Sequence, residues 1–396
     1  MKRPLIIIIG VVLVFILIGA WMYVLFFMES SDTNTFADLN FENSTEEFTE
    51  VENMGGGEPI VNVNDLSRLR QLTTTPVVGF QEVMKNSSST PLVYYISAGT
   101  GHIFSIDLET GEEKRVSGTT IPSTESGVIT PDGQYALIQS GFGSTKEATV
   151  GMISADEDQL VGEVTLNNIY SFSETASGTF LIARKSDNSV SASHYLPASG
   201  EEVSLFSVPF GEVVIDWGTQ ATDNHYLYPK PNSLLEGYLY QASNKGIKRL
   251  PVDGFGLSAK GSNDYVISSS QANKKYSTQI LNMSENFVSN YRLDVMPEKC
   301  VSLSTRLSFI CGISDSPSYS QQTPDDWYQG TVSYNDDLLE INLKDGVNSY
   351  LLDIEEESGR ILDITNLETN QDDSRLYFIN KNDGTLWSYL LTENNN

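Results

Sequence analysis

The stretch DDSRLYFINKNDGTLWSYLL (Asp372–Leu391) is written in two apolar runs, each introduced by a turn. LYFIN is a continuous β-rich run. Asn382-Asp383-Gly384 comes next with the residues a tight hairpin prefers, and LWSYLL is the partner run. Working back from this stretch, the same unit recurs. Its strongest strand appears as LVYYIS near Leu92, YALIQS near Tyr135, TFLIAR near Phe180, HYLYPK near Tyr226, YVISSS near Tyr265 and LSFICG near Leu307. Most of these starts are about 40–46 residues apart, the period of a four-stranded repeat. Continuous apolar runs suit strands covered on both faces, and the runs after them, HIFSIDL, GYLYQAS and LLEINL, alternate more clearly. Glu109-Thr110-Gly111, Pro131-Asp132-Gly133 and Lys344-Asp345-Gly346 supply further turns.

The last copy has only three strands before the polar tail 392–396. RLRQLT (Arg68–Thr73) resembles the fourth strands EEKRVS and IKRLPV, and it stands directly before the first copy. The expectation is an all-β, seven-bladed β-propeller over residues 67–391, closed by this N-terminal strand pairing with Leu386–Leu391. Closure removes the edges that invite aggregation. The alternative is a six-bladed ring with a terminal appendage.

The words TPDGQYALIQSG (Thr130–Gly141) and DDSRLYFINKNDGTLWSYLL (Asp372–Leu391) resemble the WD40-like repeats of TolB-type propeller proteins. GHIFSIDLETG (Gly101–Gly111) is similar to the third strand and turn of quinoprotein-type propellers. The resemblance implies the propeller fold over roughly residues 68–391. In place of the separate N-terminal domain of TolB-type proteins, this chain has an apolar run and a tether.

That apolar run is Leu5–Phe27, 23 residues without a charge. At about 1.5 Å per residue it spans a hydrocarbon core of about 30 Å with some tilt. Lys2 and Arg3 precede it, in the stub 1–4, and the next basic residue is Arg68. The positive-inside bias then keeps the N-terminus cytoplasmic and exports the chain beyond Phe27. Trp21 and Tyr23 fall near the outer interface. The run exceeds the apolar core of a cleaved signal peptide and no small-x-small site comes after it, so an uncleaved single-pass signal anchor is expected. Residues 28–66 carry acids and no Lys or Arg, with Gly55-Gly56-Gly57 near the end, and read as an extended tether. A net charge of −28 argues against nucleic acid and anionic lipid surfaces as partners.

Two cysteines occur, Cys300 and Cys311, on either side of a hairpin centred near Thr305-Arg306. An antiparallel pair places them opposite one another, and an exported location permits a disulfide. His102, His194 and His225 lie in separate copies with no metal-ligand spacing and read as strand residues. No phosphate-binding glycine loop or nucleophile elbow occurs, and no cofactor or metal is expected.

The repeat is interrupted once, by SDSPSYSQQTPDDWYQGTVSY (Ser314–Tyr334). Tyr319, Asp325, Asp326, Trp327 and Tyr328 are the candidate binding residues, since long loops on a rigid scaffold tend to carry function. Three readings stand: a plug with Trp327 buried, a binding surface for a sugar, a cation or a basic protein, or a carboxylate pair for glycoside hydrolysis. The expected function is a membrane-anchored, extracytoplasmic binding module or scaffold for a protein or glycan of the cell envelope. The alternatives are an exported hydrolase or lyase acting on polysaccharide or peptide, and a structural, self-associating envelope component.

Overall fold

The computed structural model describes residues 68–391 apart from 84–89, 144–145, 263, 273–274, 315–321 and 345. The run Leu5–Phe27, the tether 28–66, the tail 392–396 and Tyr319 lie outside the described residues. Among the described residues no helix is long and apolar enough to cross a membrane.

The fold is all-β. Among the described residues the strands form six antiparallel sheets, five with four strands and one with seven. In chain order they cover residues 77–117, 124–167, 169–208, 213–291, 300–352 and 364–390. Each four-stranded sheet is a meander, and the runs read as buried on both faces are its second strands. LVYYIS occupies Leu92–Ser97 and LYFIN lies within Arg375–Asn380. The sixth sheet takes its fourth strand from the start of the chain. Leu69 pairs with Tyr389, Arg70 with Ser388 and Gln71 with Trp387, and the Arg70 guanidinium donates to the Leu108 carbonyl of the first sheet at 2.7 Å.

The seven-stranded sheet departs from the repeat. Gly246–Gly261 is one 16-residue strand that pairs first with Glu236–Ser243 and then with Tyr265–Ala272. The sequence explains this. The words IKRLPV and GLSAK are joined by Asp253-Gly254-Phe255-Gly256, and the two glycines take φ of +148° and +59°. They bend the chain without ending the ladder, so the last strand of one unit and the first of the next are continuous.

The core lies between sheets. Phe80, Tyr95 and Ile106 of the first sheet pack with Tyr377, Ile379 and Leu386 of the last. Ile96 and Ile103 pack with Ile129 and Ile138 of the second sheet. Leu137 and Val150 meet Phe180 and Ile182 of the third, and Ala183 and Phe206 meet Ile215 and Leu227 of the fourth. Tyr226 and Leu239 face Val266 and Leu281 across the bend of the long strand. Ile267 packs on Phe309 and Cys311, and Ile310 and Leu338 on Ile364 and Phe378. First strands also approach closely: a Cβ on Gly79 would lie 1.9 Å from the Gly127 carbonyl oxygen, so glycine is required there.

Cys300 and Cys311 face each other directly in the first hairpin of the fifth sheet and form a disulfide. The turn of that hairpin docks on the turn between Ile364–Thr369 and Arg375–Asn380 of the sixth sheet. The Asp373 carboxylate accepts from the backbone N–H groups of Ser304 and Thr305, each at 2.7 Å.

Candidate functional site: the 322–334 segment and its carboxylates

The interruption after the second strand of the fifth sheet returns as a short helix, Asp325–Tyr328, and an extended run to Tyr334. Its residues divide into anchors and displayed groups. Trp327 is an anchor, 4% exposed, and packs with Tyr276, Met296 and Tyr334. Its indole N–H donates to both carboxylate oxygens of Asp363, at 3.0 and 3.1 Å. The Tyr334 backbone N–H donates to the same carboxylate at 3.2 Å.

Asp363 belongs to a buried ionic group. The Lys299 ammonium lies 2.6 Å from Asp363 and also contacts Asp336, and all three side chains are at most 2% exposed. The ammonium faces the rings of Trp327 at 5.3 Å and Tyr334 at 4.8 Å. Lys381 approaches the Trp327 ring at 4.9 Å. Two carboxylates share one ammonium here, and burial pushes the Asp336 carboxyl up to about 6 against the pull of Lys299. Backbone donors complete the cradle: Ile364 N–H to Asp336 at 2.7 Å, and Asp363 N–H to Asn380 Oδ1 at 3.1 Å.

The other end of the segment is fastened to the fourth sheet. Asp325 accepts from the Ser233 backbone N–H at 2.6 Å, and Gln271 donates to the Thr323 carbonyl at 2.7 Å. Gly256 lies so close that a Cβ there would be 2.8 Å from Pro324 Cδ and 3.6 Å from Ser233 Cα. Next to this junction Leu234 is 79% exposed, Leu235 65% and Phe255 46%. Phe255 is the register partner of Glu236, the residue after Leu235, so the backbones of the three exposed residues lie close to one another beside the segment. Asp326 uses its backbone carbonyl to hold Thr331, with bonds from N–H and hydroxyl at 3.0 and 2.9 Å.

Tyr328 is the displayed aromatic. The residue is 40% exposed, and its phenol is raised well above the ordinary value, by partial burial and then by the Glu298 charge. The phenol donates to Glu298 Oε1, and Ser258 donates to Oε2 at 3.1 Å. Glu298 sits in the 3-10 turn Pro297–Lys299 that leads into the fifth sheet, and burial holds its carboxyl above the usual range. The Tyr228 phenol, 3% exposed, is raised by burial and then by the same carboxylate.

A second charged group joins the long strand of the fourth sheet to the third and sixth sheets. Lys260 binds Asp216 at 2.8 Å, and its ammonium is felt by Glu174 of the third sheet and Glu368 of the sixth. Both glutamates are raised, first by burial, and Glu368 also by the charge of Glu174.

The histidines are held by neighbours in their own sheets. His102 meets the Thr120 hydroxyl at 2.9 Å, His194 the Thr179 hydroxyl at 2.6 Å, and His225 Nδ1 accepts from Gly218 N–H at 3.0 Å.

Of the residues picked from the sequence, Asp325, Asp326, Trp327 and Tyr328 fall together, with Trp327 turned inward and Asp325 committed to the backbone of Ser233. Reading the sequence missed Glu298, Lys299, Asp336 and Asp363. The signal was present in two words. Lys299 stands in VMPEKCV, and Asp363 interrupts the apolar run ILDI. A charge inside an apolar run needs a buried partner.

No known family model matches the sequence, and no curated protein does. Among solved structures, the β-propeller domain of the Trilobed protease from Pyrococcus furiosus is similar at 12% identity, over 81% of this chain and 99% of that one, with a TM-score of 0.49. An oligogalacturonate lyase solved in complex with manganese is similar at 11% identity, over 82% and 93%, with a TM-score of 0.55. Identities this low carry the fold alone, and the fold is that of a β-propeller.

Proposed function

We propose that this chain is a membrane-anchored, extracytoplasmic, seven-bladed propeller that acts as a binding module for a protein of the cell envelope. The seven-stranded sheet is read as two blades sharing one long strand. Support for a closed ring comes from the pairing of Leu69–Gln71 with the last strand and from the core shared by Phe80, Tyr95, Tyr377 and Leu386. The location rests on the charge-free run Leu5–Phe27 and the acidic segment after it. The TolB-type resemblance is one of repeats, and the proposal takes no activity from it.

The observation that carries the binding reading is the exposure of Leu234, Leu235 and Phe255, close along the backbone beside the pinned segment. Two adjacent leucines this exposed on a rigid scaffold favour a protein partner over a glycan, whose contacts use aromatic faces and hydrogen bonds. A photo-crosslinking amino acid at position 235 of the full chain, in its native membrane, should label one protein repeatedly. The same group at Met152, also exposed but in the second sheet, should not. Equal labelling from both positions would refute the assignment of this face.

A further inference from the structure

Lys299, Asp336 and Asp363 bring an amine, a carboxyl and a proton carrier into contact at the foot of the interrupting segment. The Lys299 Nζ contacts Oδ2 of Asp336 and lies 2.6 Å from Oδ1 of Asp363, and none of the three side chains is more than 2% exposed. Lys299 ends the turn before the first strand of the fifth sheet, Asp336 opens its third strand, and Asp363 immediately precedes the first strand of the sixth. Asp336 is the register partner of Ser314, so the segment leaves and returns at this point. The two carboxyl groups are held differently. Asp363 accepts the Trp327 indole N–H on both oxygens and the Tyr334 N–H on Oδ2. Asp336 accepts the Ile364 N–H on Oδ2, the same oxygen that meets Lys299. Burial pushes the Asp336 carboxyl up to about 6, so its neutral, electrophilic form is populated near neutral pH.

We infer that Lys299 and Asp336 condense to an intramolecular isopeptide bond, with Asp363 moving the protons. Lys299 first passes one ammonium proton to Asp363, which leaves a neutral amine beside the protonated Asp336 carboxyl. The Nζ lone pair attacks Asp336 Cγ, one bond from the oxygen that Nζ already touches. As the Nζ–Cγ bond forms, the carbonyl electron pair moves onto Oδ2, where the Ile364 N–H at 2.7 Å stabilises the charge. Asp363 gives its proton to the Asp336 hydroxyl, the Cγ–Oδ1 bond breaks, and water leaves. Asp363 then takes the spare proton from Nζ and returns it to solvent, replacing the one that Asp336 had taken up. The net change turns an ammonium and a carboxylate into an amide and one water. Burial of all three groups, with the Trp327 and Tyr334 rings over Nζ, keeps bulk water from reversing the step. The amide would join the first and third strands of the fifth sheet across the base of the segment, as the disulfide joins the first and second. The ionic group is the state before condensation, and its stability is read on freshly folded chain that retains the water.

Mass spectrometry of the full chain, folded and held near pH 6 and then reduced and digested, tests this. The expected product is a branched peptide in which Lys299 is joined to Asp336, with a mass one water below the sum of its two parts. Asp-Gly words such as Asp132-Gly133 and Asp383-Gly384 also lose water by closing to succinimides, so the branched peptide and not the loss of mass identifies the bond. Lys299→Arg and Asp336→Ala should yield no branched peptide. Asp363→Asn should form it at least about tenfold more slowly, because the group that moves the protons is gone. A folded wild-type chain without the branched peptide, or with the branch at Asp363, would overturn the proposal. An undiminished rate in Asp363→Asn would overturn the role of Asp363. Should that variant fail to fold, the wild-type digest still decides the bond.

Discussion

Replacing Lys299 by Met removes the one ammonium between Asp336 and Asp363 and leaves two buried carboxylates facing each other. Breaking a buried ionic group by deleting one partner costs about 3–5 kcal/mol, because the remaining charge keeps its desolvation cost. Asp336→Asn acts in the opposite sense: it removes the surplus charge and keeps a group that can accept from the Ile364 N–H. The pH dependence separates the two variants. The folded value of Asp336 is about 6 against an ordinary 3.8, so the folded protein holds this proton more tightly than the unfolded chain. Stability from this group is therefore fully present below the unfolded value and is lost as the pH rises through about 6. Between pH 8 and pH 5 the wild type should gain about 1.4 kcal/mol relative to Asp336→Asn, from one proton and a shift of about two units. Urea unfolding monitored by tryptophan fluorescence at pH 5, 6.5 and 8 measures both effects. A Lys299→Met loss under about 1 kcal/mol, or a wild-type to Asp336→Asn difference that stays flat with pH, would refute the account of this group.

The closure strand and the disulfide give two more expected outcomes. Leu72→Ala, at a side chain 1% exposed in the core shared by the first and last sheets, should cost about 2–4 kcal/mol by urea unfolding, and under about 1 kcal/mol would show that the N-terminal strand is not integral to closure. The double change Cys300→Ser, Cys311→Ser should cost less than about 3 kcal/mol, since the hairpin ladder already closes that loop. A larger loss would mean the bridge carries more of the fifth sheet than its ladder does.

The architecture was legible because a propeller repeats its grammar. The recurring apolar runs and their turns stand in the sequence, and the position of the disulfide comes from two cysteines around one hairpin. The join at Asp253–Gly256 was not, because glycine beside a charged residue reads as a turn whether or not the ladder continues through it. In the 314–334 interruption, composition drew attention to the right helix but could not tell the wedge from the displayed residue. Trp327 and Tyr328 are adjacent and both aromatic, and the difference lies in Asp363, 36 residues downstream of Trp327. Glu298 was hidden for a similar reason, since its partners Ser258 and Tyr328 come from segments 40 and 30 residues away.

The most direct test of the binding module compares the full chain with its Leu234→Asp, Leu235→Asp double variant in capture of the protein crosslinked from position 235. Both leucines are exposed, so the variant should unfold within about 0.5 kcal/mol of the wild type. The account predicts that capture falls by at least about tenfold while the fold is kept, since two charges then stand in an apolar contact. Full capture by a folded double variant would contradict it.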